Sequence, residues 1–360
     1  MTWPRVLSYP PRHPYVDRLD GRVARLVHRD QPMPLPGFYD PDWIRDHAGD
    51  FDIAHLHFGH EQYHADQVVE AVSAHRSCGI PVVWTVHDLQ IPVLGPRRDD
   101  AIDLLMAVAP LLNAIVTLTP PCALRVEELT GRPVRVIPHG PLVPSSRRRR
   151  LRATHRMPTE TRRPYLLHAG TLRENIGWER VVEAYALARP GRDLVIQVNN
   201  AHRDRVVAVS KDVDGVVVRG YDVLGDTTLE RSIAQAAALV LPYRWGTHSG
   251  LLEVAADIGT PVITTTTGFL AAQHPVVALN LDHDHQPDID ELAAVLTSAN
   301  FDGRAGAALM VSEADRERAE HAFYAHHERL YRLSKLGAVR TATPRVDIDL
   351  TQSAASNGTG

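Results

Sequence analysis

PYRWGTHSGLLEVAADIGTPVITTTTGF, Pro242–Phe269, joins two strand-like runs through a polar turn and a helical pattern. The run ALVLPY (238–243) leads into it, a helix carrying Glu253 follows the turn, and TPVITTT (260–266) closes the unit. Nearly continuous apolar strands around a helix are the pattern of a parallel sheet covered on both faces. Ligands of such sheets lie beyond the carboxyl ends of the strands, where helix N-termini offer free N–H groups and a positive dipole end. Gly246-Thr247-His248-Ser249-Gly250 occupies that position, so the turn reads as the holder of an anionic ligand.

The same alternation extends through the chain. A first series of strand-like runs is RVLSY (5–9), DIAHLHF (52–58), PVVWTV (81–86), AIVTLT (114–119) and PVRVIP (133–138). A second is PYLLHA (164–169), DLVIQV (193–198), GVVVRG (215–220), ALVLPY, TPVITTT and PVVALNL (275–281). Helical patterns such as EQYHADQVVEAVSAHRS, WERVVEAYALA and TLERSIAQAAA lie between them. These runs are too many for one open sheet, and an α/β protein of two doubly wound, Rossmann-like domains facing a cleft is expected. The domains fall at 1–145 and 164–312, with a linker at 146–163 that shows no apolar periodicity. An amphipathic helix at 313–336 is expected to cross back onto the first domain, and a polar tail at 337–360 to be disordered. The Arg147–Arg150 run could touch anionic lipid headgroups or an acidic partner; the plainer reading is a solvated linker.

Composition excludes several classes. A formal charge of −4 over 360 residues gives no support for nucleic-acid binding. Cys78 and Cys122 stand far apart and predict buried thiols in a reducing compartment. The N-terminus lacks a signal pattern and no long apolar window is present, so a cytoplasmic protein is expected, at most at the inner membrane face. Lys211 and Lys335 are the only lysines; no GK[ST] phosphate loop exists and a pyridoxal lysine is disfavoured. No G-x-S-x-G elbow or zinc spacing occurs, and Asp282 and Asp284 in LDHDHQPDID read as a surface loop rather than a metal site.

Polar residues recur after the strands: His57-Phe58-Gly59, His87-Asp88, Thr119 and His139-Gly140 in the first half. The second half gives His168-Ala169-Gly170-Thr171, Asn199-Asn200, Gly220, the turn at 243–250 and Thr264–Gly268. Two such edges facing each other make a deep polar cleft.

VVWTVHDLQIP, VRVIPHGPL, YLLHAGTLRENIGWERVVEAYALA and LPYRWGTHSGLLEVAADIGTPVI occur in the order of the signature elements of family 4 glycosyltransferases with the GT-B fold. The chain resembles that family over roughly residues 1–335. The resemblance implies a hexosyltransferase-type enzyme of polysaccharide or small-molecule biosynthesis. It would move a sugar from a nucleotide-diphosphate donor, with retention, to a saccharide, lipid-linked or small-molecule acceptor, and need no metal or other cofactor.

The resemblance also assigns roles. Arg173, after Gly170-Thr171, would clamp the departing phosphate with its planar fork. His248, Ser249, Gly250 and Leu251 would cradle the diphosphate and Glu253 would accept the ribose hydroxyls. His87 would orient the sugar and the attacking hydroxyl as a neutral imidazole. Tyr221 and Val223 would border the base. Arg12, His13, Tyr15 and His139 would line the acceptor pocket. The chain departs from the family pattern in three places: Ile176 stands where a lysine belongs, Trp245 where the first glutamate belongs, and YPPRHPYVDRL replaces the Gly-rich loop after the first strand. Arg244 is the candidate replacement for the missing cation. These losses motivate the alternatives, a degenerate GT-B protein that binds a nucleotide or a partner transferase, or another GT-B activity such as epimerisation.

Overall fold

The computed structural model describes residues 3–30, 37–91, 97, 99–156, 162–298, 301, 306 and 308–337. The expected tail beyond Gly337 lies outside them. The first lobe is a six-stranded sheet of β1 (Arg5–Tyr9), β2 (Arg25–Val27), β3 (Ile53–Leu56), β4 (Val82–Thr85), β5 (Ala114–Thr117) and β6 (Val134–Val136), in the order β2-β1-β3-β4-β5-β6. The second holds β7 (Tyr165–Gly170), β8 (Leu194–Asn199), β9 (Val216–Tyr221), β10 (Ala238–Leu241), β11 (Val262–Thr265) and β12 (Val277–Leu279), in the order β12-β11-β10-β7-β8-β9. Every pairing is parallel.

The strands read as continuous apolar runs because both faces are buried. In β4, Val82 and Trp84 enter one core cluster and Val83 the opposite one; in β10, Val240 faces one side, Leu239 and Leu241 the other. Strand order reverses at β1 in the first lobe and at β7 in the second. The loops after β1 and β3, and after β7 and β10, therefore flank the switch points where parallel sheets bind ligands.

The helix Glu313–Lys335 joins the lobes as expected. Its last turns bring Phe323, Leu330 and Tyr331 into the first-lobe cluster with Val6, Ile53, Val83 and Val116. Burial of each such side chain contributes about 1.5–3 kcal/mol. The Tyr331 hydroxyl also meets His55 Nδ1 at 2.8 Å. Its first turns stay in the second lobe, where Arg316 is buried.

The stretch read as an unstructured linker contains a helix, Ser145–Arg156, packed on the helices Asp226–Gln235 and Gly250–Ile258. Its inward face is cationic rather than apolar, which is why hydrophobic periodicity did not reveal it. Arg148 and Arg152 are buried one turn apart. Arg148 Nε donates to both Glu313 oxygens (2.9 and 3.0 Å), and Arg152 donates to the carbonyls of Ala256, Asp257 and Val311 at 2.7 Å each. Arg147 pairs with Glu230 and Arg149 with Glu317. Arg147, Arg148 and Arg149 thus pair with acidic groups of their own chain, while Arg150 is exposed. Among the described residues no helix is long and apolar enough to cross a membrane.

Candidate functional site

The carboxyl edges of the two sheets meet through the turn that follows β10. Thr247 Oγ1 accepts from the amides of Leu89 (2.7 Å) and Gln90 (3.4 Å) of the first lobe. His248 bridges as well: Nδ1 meets the His87 carbonyl at 2.9 Å and Nε2 the Thr119 hydroxyl at 3.0 Å. Both ring nitrogens are therefore occupied, and burial pushes the imidazole down to about 4. The sequence reading gave the His248 amide to a diphosphate; its ring serves the contact between lobes.

Glycines shape this turn. Gly268 sits at φ +58, and a Cβ there would lie 2.2 Å from the Gly246 carbonyl oxygen. Only glycine lets the two loops touch, with Phe269 N donating to Thr247 O. Ser249 caps the following helix: its Oγ accepts from Leu252 N (3.3 Å) and meets the Tyr243 hydroxyl (3.2 Å). Its own amide donates to Gln273 Oε1 (3.0 Å). Gly250 and Leu251 open the helix, so their N–H groups lack intrahelical acceptors and remain the anion-facing part of the expected cradle.

Glu253 is also placed differently from expectation. Its buried carboxylate accepts from Gln273 Nε2 (2.8 Å), His274 Nε2 (2.9 Å) and Arg316 Nη2 (2.8 Å). Burial alone would raise it, but His274 and Arg316 hold the carboxyl far below the usual carboxylate range. Protein cations occupy the oxygens that a ribose diol would need. Asp257, one turn on, takes Arg316 Nε on Oδ1 (2.8 Å) and the amides of Leu142 (2.6 Å) and Val143 (2.8 Å) on Oδ2.

The loop bearing Arg173 is locked against the β10 turn. Gly170 lies at φ +57 at the end of β7, reversing the chain, with exposed Thr171 following. Arg244 N donates to Asn175 O, Gly177 N to Pro242 O, and Asn175 Nδ2 to Trp245 O (2.8, 2.8 and 3.1 Å). Ile176, in the family's lysine position, bridges Tyr243 and packs against the second-lobe core. Trp245 is buried, with Arg244 stacked on its ring at 5.1 Å. Arg244 also donates to Glu174 O (3.2 Å) and, with the Gln286 amide oxygen turned toward it, to that oxygen at 2.9 and 3.1 Å. Arg173 and Arg244 line one hollow of about 650 Å³.

Arg173 is exposed and faces the first lobe electrostatically. Burial, with Glu61 adding to it and Arg173 opposing, pushes Asp88 up to about 7. Tyr243 beside them is raised by burial, with Arg173 acting the other way. Glu61 and Arg173 thus act on Asp88 in opposite directions. The sequence showed Asp88 only as the partner of His87 in a strand-end pair.

His87 itself sits with Nε2 3.3 Å from His57 Nδ1 and its ring edge-on to Tyr15 at 4.8 Å. Burial, reinforced by His139 and His248, holds it well below the usual imidazole range and neutral at pH 7. Tyr15 is buried among His57, His139 and Phe323. His139 Nδ1 lies 2.9 Å from Gly140 O. His13 caps a short helix by accepting from Tyr15 N (3.2 Å) and stacks edge-on against Phe58. Arg12 is held outward by Asp30 (2.6 Å) and Arg29 O. On the other lobe, Asn199 and Asn200 bond Asp222, Tyr221 stacks on His168 at 5.9 Å, and Val223 is exposed. Asp282 pairs with Arg180 (3.2 Å) and accepts the amides of Asp284 and Gln286, beside His283 in a largely exposed acidic group.

No family model and no curated protein matches the chain. Solved structures do. Anabaena Alr3699/HepE in complex with UDP superposes with a TM-score of 0.57 at 14% identity, over 81% of this chain and 80% of that one. Sucrose-phosphate synthase from Thermosynechococcus elongatus gives 0.56 at 16% identity over 81% and 76%. A UDP-forming α,α-trehalose-phosphate synthase from Burkholderia xenovorans, in complex with glucose-6-phosphate, gives 0.57 at 10% over 83% and 76%. The twin parallel sheets with flanking helices match these structures, and the chain has the GT-B fold.

Proposed function

We propose that the protein transfers a sugar from a nucleoside-diphosphate donor, held by the second lobe, to an acceptor hydroxyl presented by the first. The observation that carries this reading is the meeting of the two carboxyl edges at the turn after β10, where Thr247 and His248 bond the first lobe and the helix from Gly250 begins. Arg173 supplies fixed positive charge to the departing phosphate, with the Gly250 and Leu251 amides beside it and no metal in the step. The bond from the anomeric carbon to the phosphate oxygen breaks as the acceptor oxygen bonds the same carbon from the same face, and the acceptor proton passes to the departing phosphate. Retention follows from that front-face geometry. Asp88, ionised above about 7, accepts the acceptor's hydroxyl hydrogen bond and aims the oxygen. The neighbours that bind UDP, or are named UDP-forming, support a uridine donor.

One observation favours a second reading. The Glu253 carboxylate is engaged by Gln273, His274 and Arg316, which suits a GT-B protein that binds a nucleotide or a partner transferase without turnover. Calorimetry with UDP and GDP, followed by donor turnover, separates the two. The enzyme reading expects UDP binding, sugar release or transfer, and loss of both on Arg173→Ala with folding intact. Binding without turnover leaves the accessory reading; turnover unaffected by Arg173→Ala removes Arg173 from the mechanism.

A further inference from the structure

The turn after β6 brings His139 to the seam between the lobes. Three residues further on, Leu142 reaches the second lobe: its amide donates to Asp257 at 2.6 Å, and its Cδ1 lies 4.0 Å from where a Cβ on Gly250 would stand. Gly250 opens the helix that carries the anion-facing amides. Glu253 of that helix is the charge that acts most on the His139 ring. His139 therefore lies beside the end of the cleft where a donor's phosphates would be held.

The hydrogen bonding of the ring fixes what it can offer. Nδ1 lies 2.9 Å from the Gly140 carbonyl oxygen, which can only accept, so Nδ1 carries the proton. Burial, against the pull of Glu253, pushes the imidazole down to about 4, so the ring is neutral at pH 7 and Nε2 is a bare lone pair. That nitrogen has no hydrogen-bond partner among the described residues, and it is not one of the polar atoms closed off from solvent. The neighbouring rings differ. His248 also turns Nδ1 to a carbonyl, but its Nε2 is taken by Thr119, and the Nε2 of His57 is sealed in the core. Buried Tyr15 packs edge-on against both His139 and His87 at 4.8 Å, which holds the His139 ring in place. A preset lone pair accepts and cannot donate, so it recognises the hydrogen of a hydroxyl and not a carbonyl or carboxylate oxygen.

We propose that His139 is a specificity-determining residue that accepts, through Nε2, a hydrogen bond from one hydroxyl of the donor's sugar, and so selects the sugar rather than the acceptor. The inference deepens the transferase reading and rests on it for placing the donor beside Gly250.

Two variants separate this contact from a structural role. In His139→Asn the amide nitrogen can still donate to the Gly140 carbonyl, but nothing stands at the place of Nε2. In His139→Gln the longer side chain returns an accepting oxygen there. The test is calorimetry on the full chain at pH 7 with UDP, UDP-glucose and the monodeoxy analogues of UDP-glucose, one sugar hydroxyl removed at a time. UDP should bind the native protein and both variants equally, which also reports intact folding. UDP-glucose should bind His139→Asn about fivefold more weakly than native and recover in His139→Gln. One deoxy analogue should lose about the same factor on the native protein, and His139→Asn should no longer distinguish it from UDP-glucose. Equal binding of UDP-glucose by native and His139→Asn, a deoxy penalty that survives in that variant, a UDP affinity that falls in step, or no binding of UDP-glucose would each overturn the proposal. Donor turnover, measured alongside, distinguishes the two readings. The deoxy coupling without turnover removes the transferase and keeps the contact; turnover without the coupling keeps the transferase and removes the contact.

Discussion

Replacing Arg316 by Met removes the one cation that serves both Glu253 and Asp257. In the native protein its Nη2 and Nε each make a 2.8 Å bond, one to each carboxylate, and all three side chains are buried. Methionine fills the volume but leaves two carboxylates, one helical turn apart, facing each other without that charge. Breaking a buried pair by removing one partner costs about 3–5 kcal/mol. For a chain of this size that lowers the melting temperature by on the order of 10 °C. The pH dependence carries the sharper test. The folded-state pKa of Glu253 is depressed, so its contribution is present above its ordinary value and is lost as pH falls through the depressed one. In the variant that depression weakens, and Asp257, which burial already raises against the pull of Arg316, rises further. Protonation then relieves the repulsion, so the gap between variant and native protein should be widest near pH 7 and narrow toward about pH 4.5. Melting curves by fluorescence at a series of pH values measure it. A loss below about 2 °C, or a gap that does not narrow in acid, would refute the electrostatic account.

Donor turnover should rise with pH through about 7 as Asp88 ionises, and Asp88→Asn should leave a low, flat profile; a native profile flat across that range would exclude Asp88 from the step. Gly268→Ala forces a positive φ on alanine and sets Cβ against the Gly246 carbonyl, which should cost about 1–3 kcal/mol and be read as a lower denaturation midpoint. An unchanged midpoint would show that the two loops are not held together. His248→Leu deletes two bonds between lobes, about 1–3 kcal/mol of contact, and should enlarge the radius of gyration in solution scattering; identical profiles would show that the contact does not hold the cleft shut.

Most strands legible in the sequence have both faces buried, since such runs are apolar without interruption; β9, at a sheet edge with alternate residues exposed, was legible from its run of valines. β2 escaped because it is three residues at a sheet edge, with an exposed arginine at its start. The helix Ser145–Arg156 escaped because arginines, not apolar side chains, make its inward face. In the site, Arg173 and the turn at 246–250 were legible from their places after strands. Arg316 was not: it sits in a highly charged helix, and its burial depends on Glu253 and Asp257 sixty residues earlier. The one available signal was the spacing of those two carboxylates, which puts them on one helical face. Asp88 stood in view, but its upward shift comes from burial in the folded chain, with Glu61 adding and Arg173 opposing, neighbours only in three dimensions.

The chain passes between the lobes twice, once near Leu142–Val143 and once along the helix from Glu313, and both passages are tied to Asp257. A single carboxylate of the second lobe therefore holds both crossings, and neither crossing segment supplies that group itself. Its loss would loosen two connections at once.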